Sequence, residues 1–459
     1  MICSKSTEIF LVSINLFLLG SLFLFKEYLS ISYLSRHKEF TVSHDAKLLH
    51  DRALAYHENP VPGKIKIALT KPAETADDLT LAYSPGVAAP VREIAENPDD
   101  AYRYTGKGNS VAIISNGTAI LGLGNLGPLA SKPVMEGKAL LFNRFAGIDA
   151  IDIEVNHKTV EDFITTVECI ADTFGGINLE DIKAPECFEI ERELVKRCKI
   201  PVFHDDQHGT AIVTTAGILN AVELQGKKIE DCKVVCVGAG SAGIACSDFL
   251  IECGAKKENF FMVDRHGVIR SDRPQYNNGE KPRFINDAGP KTLEDAMKDA
   301  DVLLGVSGPG LINDEEVIHM ADKAVIFACS NPDPEVDPDV VHKLRPDIIM
   351  GTGRSDYPNQ INNVLCFPFL FRGALDVRAT CINTEMMKAA MNALRDVAKL
   401  PVPAEVVKAA QVDHLEYGRE YLIPKPMDSR LRDTVSGAVA RAAVASGVNQ
   451  IPLPEKYKI

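Results

Sequence analysis

The chain has 459 residues, 46% of them hydrophobic and 25% charged, and carries a formal net charge of −13. That length and composition fit two globular domains of ordinary size, each with its own core. The acidic balance excludes a general nucleic-acid binder, which needs a basic stripe, yet leaves anionic small substrates open because local charge governs a cleft. The 11 cysteines form no CxxC pair and no metal-ligand spacing, so they read as small buried hydrophobes of a reducing compartment.

Residues 9–25 (IFLVSINLFLLGSLFLF) carry no charge. The run is marginal for a spanning helix and long for a signal segment. Two readings stand: a signal anchor, or an extension upstream of the native start. Everything after it has cytosolic character, so cytoplasm is the expected location, and a membrane partner follows only from the first reading. Three parts are expected: an apolar extension over 1–41, a substrate and metal domain over 42–205, and a nucleotide domain with a helical tail over 206–459.

His44 to His57 has helical spacing, and Pro60, Pro62 and Gly63 end it. Tyr83 precedes Ser84-Pro85-Gly86, turn chemistry that either holds the phenol in one direction or packs it beside the turn. Val111 to Leu121 reads as strand, turn and strand around Asn116-Gly117. Gly122-Leu-Gly124-Asn125-Leu-Gly127 is a formal GxGxxG, weak alone because Pro128 follows at once, yet able to bring backbone N–H groups to an anion. Lys138 lies in an apolar helical run. Burial there lowers a lysine pKa and suits a general base, whereas a snorkelling lysine would only reach for solvent.

Two later strands end at Glu180-Asp181 and at His204-Asp205-Asp206, with a helix from Glu186 to Cys198 between them. In a parallel sheet those ends lie side by side. Clustered carboxylates repel one another unless a cation sits among them, and all-oxygen ligation favours Mg²⁺ or Mn²⁺. His204 and His208 leave zinc as an alternative, though no third nitrogen or sulfur ligand is evident; solvated loop acids are the other reading.

A buried-strand run, Lys233 to Val237, feeds Gly238-Ala239-Gly240-Ser241-Ala242-Gly243, then a helix, then a second strand ending at Asp264. That is the βαβ setting of a dinucleotide fingerprint, with pyrophosphate on a helix N-terminus and an acid for the ribose hydroxyls. Asp264 leans to NAD; Arg265 directly after it keeps NADP open as a holder of a 2′-phosphate. Three more strands, over 300–306, 324–329 and 347–350, end in polar turns, which makes Asn331 and Asn362-Asn363 candidates for cofactor or substrate oxygens. The tail reads as helical over 376–400, 403–417 and 431–446. The expected class is α/β: an α/β domain followed by a doubly wound, Rossmann-type domain.

Together, Ala82 to Ala88, Ser115 to Gly127, Pro133 to Ala139, Leu179 to Asp181, Phe203 to Thr210, Gly238 to Gly243, Cys329 to Pro332 and Asn362 to Pro368 resemble the malic enzymes, most closely the compact bacterial type. The resemblance runs from about residue 45 to 450 in the family's order. It implies oxidative decarboxylation of (S)-malate to pyruvate and CO₂ with reduction of NAD or NADP, dependent on Mg²⁺ or Mn²⁺. It implies Tyr83 as general acid, Lys138 as general base with Asp205 beside it, and Glu180, Asp181 and Asp206 as metal ligands. The stretch Ile120 to Gly127, with Gly122, Gly124, Asn125 and Gly127, would line the cleft near nicotinamide and substrate. Thr118, Asn331 and Asn362 would face the ligands. Thr118-Ala119 stand where the larger form of the family carries an arginine, so that carboxylate contact must come from elsewhere or be weaker. His204 and His208 then look structural. A homo-oligomer, dimer or higher, is the expected assembly. A malolactic reaction giving lactate with bound NAD, and a non-catalytic nucleotide sensor, are the alternatives.

Overall fold

The computed structural model describes residues 44–120, 123–274 and 279–458. The expectations for residues 1–41 and for Gly122 lie outside them. The chain divides into one compact unit ending at Lys64 and a second over Ile65–Ile459. In the first, helix α1 (His44–Glu58) forms over the expected stretch.

The second unit contains two sheets. Strands β1 (Ser110–Ser115), β2 (Asp149–Glu154), β3 (Gly176–Glu180) and β4 (Val202–His204) form a four-stranded sheet in the order β2-β1-β3-β4, all pairs parallel. The strand-turn-strand expected at 111–121 does not form. Both edges of β1 are taken by parallel partners, so no antiparallel return strand has a place. Gly117 does supply the positive φ (+64°) of a turn, but its carbonyl accepts from Leu126 and Gly127 N–H groups, closing a loop instead.

Helices α2 (Ala76–Ala82) and α3 (Ala88–Glu96) precede this sheet. Within and after it come α4 (Pro128–Leu141), α5 (Val160–Ile170), α6 (Glu186–Arg197) and α7 (Thr210–Leu224). Their starts follow local chemistry: proline in the first turn of α4, and a reciprocal Thr159–Asp162 capping box at α5.

The second sheet is six-stranded, in the order β10-β9-β8-β5-β6-β7, with β5 (Val234–Val237), β6 (Phe260–Asp264), β7 (Gly267–Val268), β8 (Val302–Gly305), β9 (Val325–Ala328) and β10 (Ile349–Thr352). All pairs are parallel except β6 with β7. Helix α8 (Ser241–Glu252) follows β5. The order reverses between β5 and β8, which is where a doubly wound sheet opens a ligand crevice.

The tail departs from expectation. A helix not foreseen, α9 (Phe367–Asp376), comes first, and the helix expected over 376–400 starts only at Thr384 (α10, Thr384–Lys399). Arg378 has a left-handed φ of +46° that interrupts the run, and Asn383 caps α10 by accepting from Met386 N–H. The helix expected over 403–417 shortens to Ala404–Ala409, while α11 (Arg430–Ala445) matches.

One apolar cluster contains residues of both sheets, Val111 and Ile113 from the first and Val234 and Phe327 from the second, together with α9. Phe142 meets Phe367 at 4.7 Å and Phe371 at 5.3 Å between ring centroids, and Phe203 meets Phe371 at 5.9 Å. Among the described residues no helix is long and apolar enough to cross a membrane.

Candidate active site

β3 and β4 are adjacent, with Leu179 in register with His204, so Glu180-Asp181 and Asp205-Asp206 leave the sheet at one edge. Glu180, Asp181 and Asp206 each offer an oxygen, all within 4.8 Å of one another. Glu180 and Asp181 are buried. Asp206 Oδ2 accepts from Asp181 N–H at 2.7 Å, and Asn178 Nδ2 donates to Glu180 Oε2 at 2.9 Å. Asp181 itself has a left-handed φ of +55°, sparsely populated for a residue with a side chain. Its carbonyl accepts from Thr118 N–H at 3.1 Å and Ala119 N–H at 3.0 Å, so the β1 turn and the acids are tied together.

Lys138, on α4, reaches this edge. Its Nζ lies 2.6 Å from Asp205 Oδ2 and 2.8 Å from Glu180 Oε1, and 4.2 Å from the centre of the Phe367 ring. The burial expected of Lys138 is present, but its expected consequence is reversed. Burial pulls the ammonium pKa down, while the charges of Asp205, Glu180 and Asp206 and the Asp205 hydrogen bond outweigh it and hold the pKa above its ordinary range. Burial likewise pushes Glu180 well above the ordinary carboxylate range, with Lys138 opposing and Asp206, Asp205 and Asp181 adding to the shift. Crowded, buried carboxylates of this kind suit a hard divalent cation, and an all-oxygen donor set fits Mg²⁺ or Mn²⁺.

The imidazoles do not join the group. His204 is fully buried with neither ring nitrogen hydrogen-bonded, and its Nδ1 is 3.9 Å from Asp206 Oδ2. His208 Nε2 instead lies 3.0 Å from the Glu191 carboxylate.

Asp205 and Asp206 open a single π-helical turn, Asp205–Gly209, that leads into α7. A side chain at Gly209 would collide with the Asp205 carboxylate, so the turn requires glycine there. Asn363 Nδ2 donates to the Asp205 carbonyl at 3.2 Å, and Asn363 Oδ1 accepts from Thr210 Oγ1 at 3.2 Å. Of the asparagine pair, Asn363 therefore touches the site turn, while Asn362 Oδ1 caps the following turn by accepting from Val364 N–H.

On the nucleotide side, Gly238 directly follows β5 with φ +122°, and a Cβ there would lie 2.6 Å from the Val306 carbonyl oxygen after β8. Gly243 packs α8 against the Gly238 carbonyl, closer than any side chain allows. At Gly240, which caps α8, a Cβ would meet nothing within 4 Å. Two glycines thus serve close packing, and the third leaves open the approach to a helix N-terminus carrying Ser241 and Ala242. These residues fit a dinucleotide pyrophosphate.

Asp264 ends β6 as expected, but its carboxylate is taken: Arg273 Nη2 at 2.7 Å and Lys281 Nζ at 2.6 Å both donate to Oδ2. Arg265, next to it, has no part in that group. Asn331 Nδ2 donates weakly to the Cys329 carbonyl at 3.4 Å after β9. Thr118 Oγ1 donates to Asn116 Oδ1 at 2.7 Å and accepts from Lys183 N–H at 3.0 Å, a position that braces the metal edge. Gly124 and Gly127 both have positive φ, and Gly124 forms an isolated bridge with Ile120; Asn125 lies between them in irregular backbone.

Tyr83 stands apart. It ends α2, is 76% exposed, and makes no hydrogen bond to Lys138 or to the acids. Residues that sequence reasoning missed, Glu191, Asn178, Arg273 and Lys281, share one property. Each acts on a partner through the fold, and only Arg273 and Lys281 left a local trace, as basic residues soon after Asp264.

The chain matches two family descriptions: "Malic enzyme, N-terminal domain" over residues 62–195 and "Malic enzyme, NAD binding domain" over residues 207–407. It is 61% identical over 415 residues to an NADP-dependent malic enzyme of Halomonas elongata, covering 90% of this chain and 98% of that one. It is 53% identical over 409 residues to an NADP-dependent malic enzyme of Escherichia coli, covering 89% of this chain but only 54% of that longer relative. Among solved structures, malic enzyme from Pyrococcus horikoshii superposes with a TM-score of 0.81 at 42% identity, covering 88% of this chain and 92% of that one.

Proposed function

We propose, on the premise that the chain belongs to the malic enzyme family, that it converts (S)-malate to pyruvate and CO₂ while reducing NADP⁺. The observation that carries this is the buried Lys138 ammonium between Asp205 and Glu180, against three convergent carboxylates. Glu180, Asp181 and Asp206 would hold the divalent cation. Bound there, the cation would supply Lewis-acid polarisation of the substrate, and a dinucleotide held at Gly238–Gly243 would supply the hydride acceptor.

Lys138 Nζ takes the proton of the C2 hydroxyl. Burial favours the neutral form of Lys138 and the charges of Asp205, Glu180 and Asp206 oppose it; a cation held by the acids would offset that opposition. Asp205, buried and bonded to Nζ, orients the amine. Phe367 covers it with a ring and keeps bulk water away. After loss of CO₂, Tyr83 gives a proton to C3 and pyruvate results.

The exposed position of Tyr83 supports a homo-oligomer. No residue from 65 to 97 is buried, and Ile67, Leu69 and Leu81 are 96%, 83% and 66% exposed. We read that apolar face as the contact with a second copy of the chain, which would receive Tyr83 at its own Lys138 site. The preference for NADP⁺ rests on Asp264: with Arg273 and Lys281 on one carboxylate oxygen, the end of β6 carries net positive charge for a 2′-phosphate and no free carboxylate for a 2′-hydroxyl.

Malate-dependent formation of NADPH with Mn²⁺, measured by absorbance, tests the reading. Lys138→Ala should lower kcat by a factor on the order of 10²–10⁴, the usual worth of a positioned base, and a strong chelator should abolish turnover. Full activity in either case would sink it. Lactate as the product, without net NADPH, would point to the malolactic reaction instead.

A further inference from the structure

The turn that carries Asp205 and Asp206 is fastened from behind by one residue of α6. Glu191 presents a carboxylate whose side chain is only 13% exposed. Three donors from a single short segment converge on it: His204 N–H at 3.0 Å, Gln207 Nε2 at 3.1 Å and His208 Nε2 at 3.0 Å. The donors lie on both sides of Asp205-Asp206, so this one carboxylate fixes the backbone before the acids and two side chains after them. Of the two acids, Asn363 fastens only Asp205, at its carbonyl, and Asp181 N–H only Asp206, at Oδ2. Glu191 is not among the acids that converge as ligands.

We propose that Glu191 is a positioning residue that holds the 204–208 segment in register and thereby sets the affinity of Asp206, Glu180 and Asp181 for their divalent cation. The proposal rests on the metal reading given above. An ionised carboxylate accepts at both oxygens and donates nothing, so it satisfies all three donors at once. An amide of the same shape accepts at one oxygen only, and its NH₂ would face Gln207 and His208, whose contacts survive only if the Gln207 amide flips and His208 changes tautomer. Partners that orient metal ligands in this way typically change metal affinity or activity by about 10- to 100-fold when removed.

The test is a Mn²⁺ titration of the full chain, following free Mn²⁺ by electron paramagnetic resonance, with thermal unfolding in parallel. Glu191→Gln should raise the Mn²⁺ Kd about 10-fold or more, while Glu193→Gln on the same helix leaves it unchanged. A Glu191→Gln protein that unfolds at lower temperature but binds Mn²⁺ like the unaltered chain would show a merely structural role and overturn the proposal. Should Glu191→Gln fail to fold, Gln207→Leu removes one of the three contacts; a several-fold rise in Kd is expected, and an unchanged Kd overturns the proposal. Binding lost in Asp206→Asn but kept in Glu191→Gln defeats this proposal alone. No Mn²⁺ binding by the unaltered chain defeats the metal reading with it.

Discussion

Asp264 Oδ2 receives both Arg273 and Lys281, and the charge balance at the end of β6 follows from that pairing. Burial alone would raise the Asp264 pKa, but the hydrogen bonds from Lys281 and Arg273 hold it below the ordinary carboxylate range, so the acid stays ionised and spent. Removing Lys281 leaves one cation for one carboxylate. A charge-assisted contact is worth about 1.5–3 kcal/mol, so Lys281→Gln should lower kcat/KM for NADP⁺ about 10- to 100-fold and leave NAD⁺ nearly unaffected. Equal losses with both cofactors in steady-state assays would remove Lys281 from the 2′-phosphate role. The same pairing was only half visible in the sequence: the acid and Arg265 could be read from the fingerprint, whereas the chain's route from β7 back to Asp264 could not. Lys138 teaches a similar lesson. Its apolar neighbours revealed burial, but Glu180 and Asp205 lie far along the chain, so the sign of its pKa shift depended on convergence that only the fold supplies.

At the scale of elements, strands were the most legible part. Short apolar runs closed by glycine, asparagine or acids fixed β3 to β6 and β8 to β10 to within a few residues, because buried parallel strands need continuous apolar faces. The errors fell where local chemistry was outvoted. Asn116-Gly117 has hairpin residues but sits at the end of a strand already paired on both sides, and α9 hid inside an apolar run whose proline lies in its first turn. Of the segment over α2 and α3 only the turn after Tyr83 was legible, and neither the helices nor the unpartnered face they form. Its exposure yields a test. Tyr83→Phe and Lys138→Ala proteins, each impaired alone, should regain activity when unfolded together and refolded as a mixture. If Tyr83 serves the partner copy, mixed dimers hold one complete site, and random pairing restores about a quarter of the wild-type sites. No recovery would place Tyr83 outside the partner's chemistry.

Considered whole, the molecule joins residues from either side of position 205 in one apolar cluster. Helix α9, late in the chain, lends Phe367 and Phe371 to Phe142 and Phe203 of the first sheet, and the cluster they belong to continues through Val234 and Phe327 of the second. Even Gly176 in β3 is shaped by this packing, since a Cβ there would press within 3.0 Å of the Phe371 ring. The consequence is one of cooperativity. A cluster shared in this way couples the melting of the malate side to that of the nucleotide side, so calorimetry should record a single endotherm for residues 65–459, with calorimetric and van't Hoff enthalpies in agreement. Two resolved endotherms would separate the sheets energetically. With one, heat offers the protein no intermediate in which nucleotide is still held but malate is not, and catalysis ends in the same step as the fold.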